Sequence, residues 1–299
     1  GKRSGRKAEG ATKGYFPEQR DCYGRQLVRV YASQYNEIVC QWMEPGNTNS
    51  SEVLQAAISH GEGILQLTEE QRKHTLIRAD GGFGTDANID WLLSRGYQVL
   101  TKAFSHRRVD AQARSVEGWE ATRQPGREVG APKSAHRYAR CTVQYVVWKW
   151  KEADKKWRYA VVVSTLTEET PQQLLALYDH RSGHPESSFQ QDDQGLPLPK
   201  RQKQQMIAQQ MVMVLAQMAH KILVWAKREV KKKGDQADLG AWGLKRWVRD
   251  ILSIPGRVVP DGEGFQITLS AAHPLSSRFL QAFTPLLGQS RIALSLGET

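Results

Sequence analysis

The period of apolar and polar positions changes several times along the 299 residues. Arg25 to Ala32, RQLVRVYA, alternates polar and apolar residues, and Glu37 to Met43, EIVCQWM, does so less cleanly. Both predict strands, joined by the hairpin-sized link SQYN. Pro45-Gly46 followed by Asn and Ser predicts a turn. A helix is expected from Ser50 or Ser51 through EVLQAAISHGEGILQL, and TEEQRKH reads as a short helical turn. TLIRA predicts a third strand that ends at Asp80. TDANIDWLLSRG predicts a compact helix, with Thr85 or Asp86 as its cap and Gly96 as its stop. YQVLTKA predicts a fourth strand. Two strands joined through a helix form a βαβ unit. Two antiparallel strands feeding such a unit predict the α/β class, a mixed sheet flanked by helices.

The texture changes from Trp119 to about Thr165. HRYARCTVQYVVWKW and WRYAVVVSTL are rich in strand formers and are separated by the polar turn KEADKK. Trp148, Trp150, Trp157, Tyr138, Tyr145 and Tyr159 crowd this stretch. They suit packing within a hairpin; the alternative is stacking on unpaired bases. Thr170-Pro171 starts a helix with proline at its first position, expected to reach about Tyr178. Ser182-Gly183 breaks it, and His184-Pro185 can start another that carries Glu186 in its first turn. Met206 to Ala226 is one long apolar run in which Ile207, Met211, Val214, Leu215, Met218, Ile222 and Trp225 share a helical stripe. That stripe predicts a long helix packed in a soluble core, with its methionines as filler. The run could span a bilayer by length, but Gln209, Gln210, Gln217, His220 and Lys221 argue against it.

Charge sharpens this outline. Forty-two Lys plus Arg against 31 Asp plus Glu give a net +11, which favours a polyanionic partner, nucleic acid before membrane. Residues 1–29 hold eight basic and three acidic residues spread among glycines. That composition suits a flexible arm along phosphates or a solvated terminus. Residues 199–233 hold nine basic residues and one acid. Cys22, Cys40 and Cys141 are odd in number and match no metal spacing. They are expected to be core filler in a reducing, cytoplasmic compartment.

Two carboxylates carry the candidate chemistry. Asp80 ends a strand and meets the glycine turn GGFG; Glu186 lies at a helix start after Tyr178 and Arg181. Mg²⁺ prefers oxygen ligands and keeps several waters, so one carboxylate from each of a few elements suffices. Arg181 can grip a phosphate in fork geometry and Tyr178 can donate to one. Lys102 ends the strand next to that of Asp80 and can contact a phosphate. The glycines are expected to let a DNA backbone approach closely. A nucleotide-binding reading of DGGFG fails on spacing, because Gly81, Gly82 and Gly84 do not form G-x-G-x-x-G. His180 and His184 share i,i+4 spacing, but Gly183 and Pro185 break the helix such a metal pair needs.

Taken in order, EGATKGYF, PGNTNSSEVL, IRADGGFGTDANIDWLLSRGYQVLTKA, YDHRSGHPE and AQQMVMVLAQMAHKILVWAKR resemble bacterial insertion-sequence transposases. These have a ribonuclease-H-like core and an Asp-Asp-Glu metal triad, here of the Tyr-Arg-Glu motif group. The resemblance implies Asp80 as the second triad acid, Glu186 as the third, and Tyr178 and Arg181 as DNA contacts. It implies two Mg²⁺ or Mn²⁺ ions in an intact site, double-stranded DNA as substrate, strand cleavage and strand transfer at mobile-element ends, and a homodimer on DNA. The family's first Asp lies upstream of EGATKGYF and no residue here matches it, so an N-terminally truncated copy, inactive as it stands, is expected. The family places three residues between Arg and Glu and a Lys seven after the Glu. Here four intervene and Asp193 holds the seventh position, leaving Lys200 and Lys203 as stand-ins. The implied organisation is a first core part (1–117), a β-rich insertion (118–166), a second core part with the Tyr-Arg-Glu motif and long helix (167–235), and a C-terminal segment (236–299). The alternative function is a catalytically inactive DNA-binding remnant.

Overall fold

The computed structural model describes all residues except 1, 4–6, 15–21, 104–105, 134–136, 139–140, 153–155, 184–194, 197–202, 233–237, 288–289 and 298–299. The chain divides into two compact units. The first comprises Gly1–Arg6, Gly10–Ser33 and Val39–Pro185, the second Lys7–Glu9, Gln34–Ile38 and Glu186–Thr299.

The first unit begins with β1 (Lys2–Arg3), β2 (Thr12–Lys13), β3 (Tyr23–Ala32) and β4 (Glu37–Pro45). β1, β2 and β4 all pair with β3. The basic N-terminal stretch is therefore not simply an arm. Arg25 is buried, and the Arg29 guanidinium donates to Gln41 Oε1 at 2.9 and 2.7 Å. These two cations serve the hairpin rather than phosphates.

Next come α1 (Ser50–Leu65), α2 (Glu69–Lys73), β5 (Leu76–Ala79), α3 (Asp86–Ser94), β6 (Gln98–Lys102) and α4 (His106–Arg114). Local chemistry sets these boundaries. Thr68 and Gln71 form a reciprocal capping box on α2. Thr85 Oγ1 caps α3 at the Asn88 N–H, and Gly96 follows it at φ +85°, a conformation that needs no Cβ.

β7 (Glu120–Ala121) and β8 (Arg127–Gly130) follow, then the small pair β9 (Arg137–Tyr138) and β10 (Cys141–Thr142). β11 (Gln144–Lys151), β12 (Trp157–Ser164) and α5 (Pro171–Gly183) complete the unit. One mixed six-stranded sheet runs β5-β6-β12-β11-β8-β7, with β5 and β6 parallel and the other pairs antiparallel. The strand-rich stretch thus continues the same sheet as the βαβ unit. Alternation along its strands feeds two cores. Val99, Tyr145, Val147, Val161 and Val163 pack with Ile89 and Leu92 of α3 and Val109 of α4. Leu100, Val146, Trp148, Ala160 and Val162 pack with Leu174, Leu175 and Tyr178 of α5. α5 runs past the expected end near Tyr178 and stops at Gly183, within the Ser182-Gly183 breaker.

The second unit holds α6 (Met206–Lys232), then β13 (Gly256–Asp261), β14 (Gly264–Ser270), α7 (Ser276–Leu287) and β15 (Ile292–Gly297). β13 and β14 form an antiparallel hairpin, and β15 returns parallel to β14. Leu223 and Val230 of α6 enter a core with Leu239, Trp242, Leu244, Trp247 and Ile251.

α6 forms as its composition demands but buries the other face. Gln209, Met213, Ala216, His220, Leu223, Val224 and Val230 are buried. The seven-residue stripe from Ile207 to Trp225 is exposed. A helix apolar almost all round offers two apolar faces, and periodicity cannot choose between them.

Candidate active site

Asp80 directly follows β5, and its own backbone makes it the cap of a single 3₁₀ turn, Gly81–Phe83. Its Oδ1 accepts from the Gly81 N–H at 2.7 Å, and the carboxylate is exposed. The Tyr178 hydroxyl, from α5, donates to the same oxygen at 3.4 Å. That long hydrogen bond joins two motif blocks 98 residues apart.

Tyr178 itself is buried and held from behind. Its ring packs against Trp148 with centroids 5.7 Å apart. The Arg127 guanidinium lies 5.2 Å from the Trp148 ring and forms an ion pair with Asp179 at 2.6 Å. Arg78 of β5 donates to the Leu177 carbonyl at 3.1 Å, tying the strand that ends in Asp80 to α5. Nothing in the sequence marks Arg127 as part of this site; Arg78 and Asp179 lie inside the motif blocks but carry no role there, and Trp148 stands only as one of many aromatics.

The glycine turn uses its space inside the protein. A Cβ on Gly84 would stand 2.0 Å from the Lys102 carbonyl oxygen, and one on Gly82 would meet Ser50 at 3.1–3.2 Å. The Lys102 side chain runs beside Gly81, with its Cδ 3.5 Å from where a Cβ would sit. The glycines therefore let the turn dock on β6 and α1. Lys102 does lie beside the turn that Asp80 caps.

Nearby acids are committed elsewhere. Asp86, in the first turn of α3, takes a two-pronged grip from Arg108 at 2.5 Å per contact and a Tyr138 hydroxyl at 2.8 Å. Burial, then the hydrogen bond to Asp86, pushes the Tyr138 hydroxyl far above its usual pKa. Among the described residues no group of three His, Cys, Asp or Glu can hold a metal ion. Asp80 thus offers one exposed oxygen ligand rather than a closed cage. One carboxylate fits Mg²⁺, which is held by one or two carboxylates together with waters and substrate phosphates.

Other expected site residues are not all visible. Glu186 and Lys200 lie outside the described residues, as does the side chain of Arg181, whose backbone is on α5 one turn after Tyr178. Lys203 is exposed, and its backbone N–H donates to Gln209 Oε1 at 2.9 Å. The aromatics of the strand-rich stretch serve packing. Lys149 sits 4.3 Å from the Trp119 ring and 4.7 Å from that of Trp157, and Trp148 stacks on Trp150 at 6.5 Å.

A family model described as the transposase DDE domain, group 1, matches residues 5–290. No curated protein matches the chain. Among solved structures, the cryo-EM structure of a piggyBac transposase synaptic complex with hairpin DNA aligns at 12% identity and a TM-score of 0.49. That alignment covers 79% of this chain and 46% of the other, so the chain spans less than half the length of that transposase.

Proposed function

We propose a function on one premise: the chain belongs to the transposase DDE domain family, group 1. The reading is a DNA transposase catalytic domain of ribonuclease-H-like type that cleaves DNA strands and joins them at mobile-element ends. Residues 1–117 and 167–235 form its core, 118–166 a strand-rich insertion that extends the core sheet, and 236–299 a C-terminal segment. The observation that carries this reading is the meeting of Asp80 with Tyr178, which unites the two acid-bearing motif blocks at one sheet end.

Asp80 and Glu186 are the proposed metal ligands. Two bound Mg²⁺ or Mn²⁺ ions would activate a water or a 3′-hydroxyl and steady the leaving oxygen. The chain's own groups do the rest. Tyr178 orients the Asp80 carboxylate through its hydroxyl, and the Trp148–Arg127–Asp179 stack fixes Tyr178. Arg181, Lys102, Lys200 and Lys203 bind phosphate oxygens, Arg181 in fork geometry. The partner is double-stranded DNA, transposon end and target, bound by two copies of the chain.

Titration calorimetry with Mn²⁺ tests the ligand assignment. The chain binds the ion, and Asp80→Asn weakens binding at least about ten-fold, the scale of losing a metal ligand's support. Tyr178→Phe, which keeps the ring and removes the hydroxyl, has a smaller effect. Equal Mn²⁺ affinity in the chain and in Asp80→Asn removes Asp80 from the site.

The second reading is an inactive DNA-binding remnant. It is favoured by Asp80 already serving as the cap of its own turn. Nicking of supercoiled DNA in Mn²⁺ separates the two: the remnant binds DNA and never nicks it, and Asp80→Asn then changes neither property.

A further inference from the structure

We propose that the exposed apolar stripe of α6 is a self-association surface, on which two copies of this chain pair antiparallel about a two-fold axis near Ala216. This inference does not rest on the catalytic reading. The stripe spans Ile207 to Trp225, about 27 Å at the helical rise. Its residues are between 38% and 68% exposed. Together they offer on the order of 800 Å² of surface, the share one partner contributes to a standard interface. The largest apolar patch of a typical monomer is smaller, roughly 300–600 Å².

The spacing is that of a packing seam. Ile207, Met211, Val214, Met218, Ile222 and Trp225 follow one another at intervals of four, three, four, four and three, the a/d rhythm of paired helices with one stutter between Met218 and Ile222. Leu215 widens the seam. Trp225 is fixed at one end, because its indole N–H donates to Glu37 Oε1 at 3.0 Å while its ring stays half exposed.

Three candidates compete for this face, and the chemistry selects among them. From Met206 to His220 the helix carries no Lys, Arg, Asp or Glu, so DNA phosphates find nothing to bind there. α6 is long and apolar enough to cross a membrane by length and composition. Its opposite face, however, is sealed into protein through Leu223, Val230, Trp242 and Trp247, so lipid cannot surround it. A second copy matches the stripe, because the stripe is its own complement. Ile207 and Trp225 lie nine positions either side of Ala216, and Val214 and Met218 two. Antiparallel pairing sets Ile207 against Trp225 and Val214 against Met218. Parallel pairing would instead bring Lys221 against Lys221, a like-charge contact.

Sedimentation equilibrium of the whole chain without DNA tests the proposal. The chain is dimeric at micromolar concentration, and Met218→Lys weakens the dimer at least about 100-fold, roughly 2.8 kcal/mol. Met218 is exposed, so far-UV dichroism stays that of the parent, and the thermal midpoints coincide at concentrations too low for the parent to dimerise. Ile207→Cys mixed with Ile222→Cys cross-links between chains through a short linker, whereas Ile207→Cys by itself does not exceed the parent's background. A monomer at all concentrations, or a dimer indifferent to Met218→Lys, overturns the proposal. Cross-linking of Ile207→Cys to itself overturns the antiparallel arrangement. Co-flotation with phosphatidylcholine vesicles that Met218→Lys abolishes assigns the face to a bilayer and also overturns it.

Discussion

Gly84 shows how a motif residue can be chosen by the protein's own packing. A methyl group there would stand 2.0 Å from the Lys102 carbonyl oxygen, a backbone atom that cannot swing away. Gly84→Ala therefore forces β6 and the turn apart and is expected to cost about 2–3 kcal/mol of stability. Gly63 is the control. It lies within α1, and nothing stands inside 4 Å of where a methyl group would sit, so Gly63→Ala raises stability by about 0.5–1 kcal/mol. Urea unfolding of the two variants checks both signs in one series, and a neutral Gly84→Ala would return the turn to the status of open space. The sequence reveals that the turn is special, since Asp-Gly-Gly-Phe-Gly exceeds what a plain turn needs. It cannot reveal why, because the colliding partner is a carbonyl eighteen positions away.

At the scale of elements, Glu62 staples three of them. Its carboxylate accepts from Arg72 of α2 at 2.7 Å, from Arg95 at the end of α3 at 2.5 Å, and from the Tyr97 hydroxyl at 3.0 Å. The Arg95 hydrogen bond, then Tyr97 and the two arginine charges, hold this carboxyl below its ordinary range against an opposing push from burial. Tyr97 is pushed up to about 12 by burial and by Glu62. A lowered folded-state pKa means that the stabilisation is present above the unfolded value near 4.5 and is lost as pH falls through the folded value. Glu62→Gln should thus cost about 1–3 kcal/mol at neutral pH and flatten the acid limb of the stability curve. Denaturant midpoints at pH 7 and below pH 4 check this, and parallel pH profiles would deny Glu62 the role. The helices that Glu62 joins are legible from capping signals and local periodicity. The staple is not, since its partners lie 10, 33 and 35 residues along the chain. The same limit hides the Arg127–Asp179 pair behind Tyr178, separated by 52 positions. α6 differs: its existence is plain from the sequence, but an all-round apolar helix leaves its buried face to tertiary partners that periodicity does not report.

For the whole molecule the informative quantity is excess charge. Each internal ion pair, such as Glu62 with Arg95, Asp86 with Arg108 or Asp179 with Arg127, consumes one charge of each sign. Pairing therefore leaves the net +11 untouched. That excess is a floor on the cations left over for phosphates, since eleven Lys or Arg would lack an acidic partner even if every Asp and Glu were paired. If about half of it meets a duplex, the slope of log K against log salt is roughly −5, and affinity falls about 10³-fold between 50 and 200 mM salt. Fluorescence anisotropy with unrelated duplexes, in EDTA, measures this slope free of any metal contribution. Asp80→Asn should leave it unchanged or raise affinity slightly, because the variant removes one negative charge. Met218→Lys separates the two surfaces: lost dimerisation halves the charge in each bound unit and makes the slope shallower per particle, while a slope near zero in the parent would deny DNA as the partner of the basic excess. If Arg127→Gln makes the slope shallower by about one, Arg127 opens its pair with Asp179 to serve a phosphate. Tyr178 would then lose the stack that holds it to Asp80, and DNA binding itself would loosen the proposed metal ligand.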